Sequence, residues 1–222
     1  LAETPVPHPA LIAACGDETV LGAAFYLMEP VDGFNPVGQL PEPHASSPAM
    51  RRAMGMALID GIAALGRVDH QAVGLADFGK PDGFLERQVP RWSAQLVSYA
   101  DMPGWTGPSA LPATGRIAAW LEANRPASFA PGIMHGDYHL AKVMFRHDGP
   151  ELAAIIDWEL ATIGDPLLDL GWVLATWPDG DGESTVSVAP WPGFPTAAEL
   201  VERYRAGSDR DLSAAGVGLL RL

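Results

Sequence analysis

The chain has 222 residues, of which 48% are hydrophobic, so it can bury a core and is not a disordered chain. Its net charge of −13 argues against nucleic acid and against an anionic membrane surface as partners. A single cysteine, Cys15, excludes an internal disulfide framework and favours a reducing compartment, so we expect a cytoplasmic protein. No apolar run is long enough to span a membrane. Nothing in the sequence bears on the oligomeric state.

The first third of the chain predicts a hairpin, a connector and a helix. The apolar runs "ALIAAC" and "AAFYLME" flank the turn signal Gly16-Asp17, which is typical of two antiparallel strands. Residues 30–48 are rich in proline, glycine and serine, so we expect a connector that crosses the surface and marks the one plausible domain boundary. Apolar residues then recur at helical spacing over residues 48–66.

The remaining elements are mostly helical. Residues 84–100 and 114–124 predict two helices, and residues 143–156 predict a hairpin around the turn "HDGP". "GDPLLDLGWVLATW" predicts a helix with Asp165 as its cap, and "TAAELVERYRAGS" predicts a last amphipathic helix after a loop over residues 177–195. The sequence therefore predicts an α+β protein that is mostly helical.

Polar residues interrupt the apolar stretch "IMHGDYHLAKVMF" at residues 133–145. The open end of the predicted hairpin places Lys142 beside Asp157, since paired strands lie about 5 Å apart. Asp137 lies one short loop away, after a bend that Gly136 permits. Converging carboxylates bind a metal, transfer a proton or hold a loop. A structural turn with a salt bridge explains the same residues equally well.

This stretch, followed by "IIDWELATIGDPLLDLGW", resembles the paired motifs of the aminoglycoside phosphotransferase and choline kinase superfamily, a branch of the protein-kinase-like fold. The most similar subgroup includes kinase domains joined to acyl-CoA dehydrogenase-like proteins. The resemblance implies a kinase-like C-terminal lobe over residues 33–222 and a remnant of the nucleotide-binding lobe, with the hinge, over residues 1–32. It also implies ATP-dependent transfer of a phosphoryl group to a small-molecule hydroxyl, with Mg²⁺ and ATP as cofactors.

The resemblance also implies roles for individual residues. Asp137 would be the catalytic base that orients the acceptor hydroxyl, and Asp157 would be the magnesium ligand. His135 would pack behind the catalytic loop, and Asp169 would hold the backbone of that loop. The nucleotide hinge would comprise Met28, Glu29 and Val31, although an ordinary strand end would leave the same sequence.

Lys142 departs from the family pattern, which has asparagine at this position as the second magnesium ligand. A protonated ammonium group donates hydrogen bonds and cannot ligate a metal. We therefore expect Lys142 to support the loop by replacing part of the charge of a metal, or by excluding one magnesium ion. Two-metal catalysis of the usual kind is then in doubt.

A second departure concerns the nucleotide lobe, whose phosphate-gripping parts would be expected before residue 1. The chain has two lysines, Lys80 and Lys142, and Lys80 lies in a predicted loop. We therefore expect weak ATP binding and a first hairpin with open sheet edges.

The rival interpretation of the whole chain is a catalytically inactive kinase-like module that binds or scaffolds. The acceptor stays open between an aminoglycoside, a hydroxyacyl-CoA and another metabolite. Its site is expected near Trp92, Trp172 and Trp177.

Overall fold

The computed structural model describes residues 1–178 and 185–212. In chain order, its strands and α-helices are β1 (Leu11–Cys15), β2 (Phe25–Met28), β3 (Gly38–Gln39), α1 (Pro48–Arg67), α2 (Phe84–Ser98), α3 (Thr114–Ala123), β4 (Gly132–Met134), β5 (Val143–Phe145), β6 (Leu152–Ile155), β7 (Thr162–Gly164), α4 (Leu167–Thr176), β8 (Val188–Ala189) and α5 (Ala197–Gly207). Short 3₁₀ turns lie between several of them. The two predicted hairpins and all the predicted helices are present.

The helix α1 forms the centre of the core because one of its faces is continuously apolar. Met54, Leu58, Ile62 and Leu65 recur every three or four residues and are at most 2% exposed. The helix begins at a serine cap, since the side chain of Ser47 accepts a hydrogen bond from a backbone N–H of the first turn. It packs against α5, α4, β4 and β6.

Helices α2 and α3 pack on each other and are much less buried. Within α2, Phe84 is the one residue that is buried, and Trp92 and Val97 are 57% and 65% exposed. Ile117 and Leu121 of α3 help Trp92 to line an apolar groove of about 250 Å³ between the two helices. No helix in the described part of the chain is both long enough and apolar enough to cross a membrane.

The four pairs of strands are two-stranded sheets, and two of them, β3–β8 and β4–β7, were not expected. β1 and β2, β4 and β7, and β5 and β6 are antiparallel, whereas β3 pairs in parallel with β8. The β3–β8 pair lies in the segments predicted as a surface connector and a loop. The connector is also more buried than predicted: Leu40 is 5% exposed, and the buried ring of His44 bonds to the carbonyl of Gly149. Residues 30–48 thus form the predicted connector between β2 and α1, but this connector packs partly into the core and does not only cross the surface.

Candidate active site

Two strand pairs hold the loop that carries the motif. β4 and β7 fix the backbone before it, and β5 and β6 fix the backbone after it. Val143 pairs with Ile155, and the N–H of Ile156 donates to the carbonyl of Lys142 at 2.9 Å. The register is thus one residue from the predicted one, because Lys142 lies opposite Ile156 and β6 ends at Ile155. Asp157 follows directly, so its side chain still reaches Lys142.

The loop reverses direction at Gly136, which has a positive φ of 87°. A Cβ atom at this position would lie 2.4 Å from the carbonyl oxygen of Leu160. Both the backbone conformation and the close approach of a second chain segment therefore require glycine. The predicted tight bend before Asp137 is confirmed.

Asp169 of α4 holds the backbone of this bend. Its carboxylate accepts hydrogen bonds from the N–H of His135 at 2.6 Å and from the N–H of Gly136 at 2.9 Å. The residue is 2% exposed, and burial raises the pKa of its carboxyl to about 7, against the opposing effect of the two N–H groups. Asp169 was expected to hold the backbone of this loop from the following helix, and the two hydrogen bonds have that geometry.

His135 is fully buried and braces the loop from the other side. Its Nε2 lies 2.9 Å from the carbonyl of Ile156, and its Nδ1 lies 3.3 Å from the backbone nitrogen of Asp137. A carbonyl accepts only, so Nε2 carries the proton and Nδ1 accepts from the Asp137 N–H. Burial lowers the pKa of this imidazole, which favours that neutral form.

The carboxylates of Asp137 and Asp157 meet at the ammonium group of Lys142. Its Nζ lies 3.1 Å from Oδ2 of Asp137 and also bonds to Oδ2 of Asp157. The hydrogen bond to Asp157 is the main cause that raises the pKa of Lys142, and the bond to Asp137 acts in the same direction. The predicted salt bridge is therefore present, and one cation separates the two carboxylates.

Asp157 has a backbone conformation that is uncommon for a residue with a side chain. Its φ of 67° and ψ of 59° lie in the left-handed region, and it is the one residue other than glycine in the described ranges with a positive φ. Such conformations cost free energy and persist where the surrounding structure imposes them. Here the bend turns the carboxylate towards Lys142.

Two further side chains lie on the other oxygen of Asp137. The indole Nε1 of Trp172 donates to Oδ1 at 2.7 Å, and Nε2 of His139 lies 3.6 Å from the same oxygen. Burial lowers the pKa of His139. Each oxygen of Asp137 thus has one strong donor and keeps lone-pair capacity for a substrate hydroxyl.

Sequence reasoning did not identify the role of Asn35. Its amide donates to the carbonyls of Ala141 and Val143, at 2.9 and 3.0 Å, and so clamps the backbone on both sides of Lys142. The residue lies in the segment interpreted as a connector, and its partners are more than 100 residues away. No local pattern in the sequence indicates this contact.

The three tryptophans expected near the acceptor have different surroundings. Trp172 lies at Asp137, and its spacing of three residues from Asp169 on α4 is the signal that could have linked it to the loop. Trp177 is a core residue, 7% exposed, whose indole donates to the carbonyl of Pro195. Trp92 lies in the groove between α2 and α3.

The residues predicted as a nucleotide hinge lie at the end of β2 and just beyond it. Met28 is the last residue of β2, and the N–H of Glu29 donates to the carbonyl of Ala10 at 2.9 Å. Val31 follows in an irregular segment. Downstream, Phe34 forms a backbone bridge with Phe145, which connects this segment to β5. The contact of the hinge residues with adenine stays a prediction.

The donor set suits one divalent cation better than two. No group of three or more histidine, cysteine, aspartate or glutamate side chains in residues 1–178 and 185–212 could hold a metal ion. Magnesium is commonly held by one or two carboxylates together with substrate phosphates and water, which Asp157 fits. A second ion between Asp137 and Asp157 does not fit, because the ammonium group of Lys142 lies there.

Comparison with known proteins gives a family model and a set of longer relatives. The model of a family described as the phosphotransferase enzyme family matches residues 1–212. Human acyl-CoA dehydrogenase family member 11 is 32% identical over 209 residues, which cover 90% of this chain and 25% of that protein. The chain spans a quarter or less of the length of the curated relatives it matches first.

Solved structures share the fold. A Ralstonia eutropha protein named as a candidate aminoglycoside phosphotransferase is 35% identical with a TM-score of 0.76, and the match covers 95% of this chain and 63% of that chain. An aminoglycoside phosphotransferase from Streptomyces rimosus, in complex with ADP and streptomycin, is 20% identical with a TM-score of 0.58, over 97% of this chain and 74% of that chain. The predicted kinase-like fold class and the family resemblance are confirmed.

Proposed function

Since the chain belongs to the phosphotransferase enzyme family, we propose that it transfers the γ-phosphoryl group of ATP to a hydroxyl group of a small molecule. The observation that carries this proposal is the partly exposed position of the Asp137 carboxylate on a firmly held loop. Its carboxylate is partly exposed at the tip of a loop whose backbone is held by Asp169 and His135. Such rigid presentation of an accessible base is what a positioning mechanism needs.

In the proposed reaction, the acceptor hydroxyl binds at Asp137 and gives its proton to the carboxylate. The hydroxyl oxygen bonds to the γ-phosphorus of ATP, and the bond from that phosphorus to the bridging oxygen breaks, which leaves ADP. Trp172 keeps the carboxylate of Asp137 in one orientation through its hydrogen bond. A magnesium ion, held by Asp157, would neutralise charge on the phosphates.

The acceptor stays open between three classes of molecule. The Streptomyces rimosus structure contains streptomycin, which supports an aminoglycoside, whereas the longer relatives are named as acyl-CoA dehydrogenases, which supports a hydroxyacyl-CoA. Another hydroxylated metabolite is the third class. The free thiol of Cys15 supports a cytoplasmic location, where glutathione keeps cysteines reduced.

A second candidate function is a kinase-like module that binds or scaffolds without catalysis. The observation that favours it is the double salt bridge of Lys142, since both carboxylates that would perform the chemistry already have a cation partner. The intact loop around Asp137 favours the enzyme. An inactive module would have no need of a base presented in this way.

Phosphotransfer can be tested with Mg-ATP and a panel of aminoglycosides, hydroxyacyl-CoA thioesters and small alcohols, with the product read by mass spectrometry. We expect a phosphorylated product from the wild type. In Asp137→Asn we expect the rate to fall by at least about 100-fold, because general-base catalysis contributes at least that factor.

The matched control is Asp148→Asn, since Asp148 lies in an exposed turn and bonds to Arg146. A wild type that binds panel members but phosphorylates none supports the inactive module. Equal rates in the wild type and Asp137→Asn would contradict the proposed role of Asp137.

A further inference from the structure

Lys142 lies between two carboxylates in a position that a divalent cation would suit. Its Nζ bonds to Oδ2 of Asp157 and lies 3.1 Å from Oδ2 of Asp137, so one ammonium group bridges both acids. The three side chains are between 21% and 40% exposed. A partly buried pair of like charges repels unless a cation separates the two groups. The lysine side chain provides that cation from within the chain.

Hydrogen bonds hold the backbone of Lys142 and of both its neighbours. Its N–H donates to the carbonyl of His139 at 2.8 Å, and its carbonyl accepts from the N–H of Ile156 at 2.9 Å. The amide of Asn35 bonds to the carbonyls of the residues on either side, Ala141 and Val143. Four hydrogen bonds thus fix the point from which the side chain starts. A lysine held in this way is a built part of the site, unlike a surface side chain that finds an acid by chance.

We infer that the ammonium group of Lys142 is a tethered cation that takes the place of one metal ion between Asp137 and Asp157. One consequence, that the site uses a single divalent ion at Asp157, rests on the proposed function. The ammonium supplies one positive charge where a magnesium ion would supply two, and it cannot dissociate from the chain. It also donates hydrogen bonds but cannot coordinate phosphate oxygens.

The inference makes a direct prediction about metal binding, which Mn²⁺ alone can test. An asparagine in place of Lys142 would supply a carbonyl oxygen and would free both carboxylates, which together form a set of oxygen donors suited to this ion. We expect Lys142→Asn to bind Mn²⁺ at least about fivefold more tightly than the wild type, because a repelling charge is replaced by ligands. The measurement is the decrease of the free-ion signal in electron paramagnetic resonance during titration at pH 7.

The matched control is Lys80→Asn. It makes the same change of residue and of net charge at the other lysine of the chain, which lies in the loop between α1 and α2. We expect its Mn²⁺ affinity to equal that of the wild type. A gain in Lys142→Asn below fivefold, or an equal gain in Lys80→Asn, overturns the inference, because the effect would then be absent or would report only overall charge.

A second measurement uses the wild type and does not depend on the folding of a variant. Acetic anhydride reacts with free amines, so an ammonium group held by two carboxylates is protected. Mass spectrometry after brief treatment should show Lys142 acetylated at least about fivefold more slowly than Lys80, since its amine is bonded to two carboxylates and its side chain is only 21% exposed. Comparable rates at the two lysines would overturn the inference. Neither readout requires turnover, so a protein without phosphotransferase activity would leave both results interpretable.

Discussion

Asp137 has a hydrogen-bonding donor on each of its carboxylate oxygens, and the two donors come from different elements. Trp172 of α4 donates to Oδ1, and Lys142 bonds to Oδ2. The indole has no charge, so its contribution is mainly one of orientation. The ammonium contributes charge as well. The two contacts can therefore be separated by substitution.

Replacing Trp172 with phenylalanine tests the orienting contact. Trp172→Phe removes the indole N–H and keeps an aromatic ring, so we expect kcat to fall about tenfold while KM changes much less, since a hydrogen bond to a charged group contributes about 1.5 kcal/mol. Steady-state kinetics with the acceptor found in the panel assay provides the measurement. Thermal unfolding should change little, because Trp172 is 45% exposed.

The matched control for this variant is Trp120→Phe, on α3. Trp120 is 38% exposed, and in the described part of the chain it makes no hydrogen bond to the loop that carries Asp137. It should retain the kcat of the wild type. If both variants lose activity equally, the hydrogen bond to Asp137 is not the cause. A large rise in KM with kcat retained would instead place Trp172 in acceptor binding.

Asp169 makes the stability of the protein depend on pH. Its pKa is about 7 in the folded protein and has an ordinary value of 3.8, so the folded state binds more protons between these two values. The stability that the protonated form contributes is fully present below pH 3.8 and is lost as pH rises through about 7. Asparagine at this position does not titrate.

We therefore expect the wild type to lose more unfolding free energy than Asp169→Asn when pH is raised from about 4 to about 8. Urea unfolding followed by circular dichroism at several pH values gives this difference. Other titrating groups are shared by the two proteins and cancel to a first approximation. The unfolding free energy of the wild type minus that of Asp169→Asn should therefore decrease as pH rises. If this difference stays constant or increases, the carboxylate of Asp169 is ionised throughout and is stabilised by the N–H groups of His135 and Gly136.

At the scale of elements, the loop that carries Asp137 depends on a bend that requires glycine. Gly136→Ala should lower the unfolding free energy by about 3 kcal/mol or more, because a left-handed alanine is strained and its Cβ would meet the carbonyl of Leu160. Gly74→Ala is the matched control, since Gly74 has a φ of 75° and a Cβ added there would have no heavy atom within 4 Å.

The control should cost only the strain of the backbone, about 1 to 2 kcal/mol. Urea unfolding of both variants provides the comparison. If both variants lose the same unfolding free energy, the short turn before β7, which includes Leu160, moves away easily. The loop would then be less rigid than the close approach indicates.

The sequence predicts elements well where a local pattern repeats. α1 was predicted to end at Gly66 and ends at Arg67, because its apolar positions recur over about four turns. α2 was predicted to end at Ala100 and ends at Ser98, where the structure continues as a 3₁₀ turn. Such differences of one or two residues are normal at frayed helix ends.

Very short strands with distant partners were not predictable. β3 has the two residues Gly38 and Gln39, and its partner β8 lies about 150 residues later in the chain. Neither segment is long enough to show alternation of apolar and polar residues. The three-residue strands β4 and β7 were missed for the same reason. Tertiary packing, and not local preference, determines these pairs.

In the candidate site, too, contacts within a local hairpin could be predicted and contacts with distant segments could not. The convergence of Asp137, Lys142 and Asp157 could be predicted because all three lie at one end of a local hairpin. The contacts of Asn35 could not be predicted, since they join the loop to a segment more than 100 residues away in the chain. Trp172 was expected near the acceptor, and its hydrogen bond to Asp137 is the detail that the sequence analysis lacked. The functional roles assigned to the site residues through the family resemblance stay predictions that the experiments above address.

At the scale of the whole molecule, burial concentrates in the helices α1, α4 and α5, which pack on one another. The β1–β2 hairpin and the α2–α3 pair instead expose large apolar residues, such as Leu11 at 65% and Ile117 at 54%. Elements with few buried contacts open more easily. We therefore expect the outer elements to open more easily than α1, α4 and α5.

Charge at the same scale opposes the binding of a nucleotide. The chain has a net charge of −13, which repels the ATP polyanion, and two lysines. One of them, Lys142, is bridged to two carboxylates, and the other, Lys80, lies in a loop. We therefore expect the 222-residue chain to bind Mg-ATP with a Kd of roughly 1 mM or weaker, measured by isothermal titration calorimetry.

The origin of any remaining affinity can be found with two further variants. Asp157→Asn should abolish the residual heat of Mg-ATP binding, because it removes the carboxylate that would hold magnesium beside the phosphates. Asp148→Asn makes the same change in an exposed turn and should leave the heat unchanged. A micromolar Kd in the wild type would contradict the expectation of weak binding and would point to phosphate contacts from arginine side chains or backbone N–H groups. If Asp157→Asn then retained that affinity, the nucleotide would bind away from the two carboxylates, and the proposed role of Asp157 would be wrong.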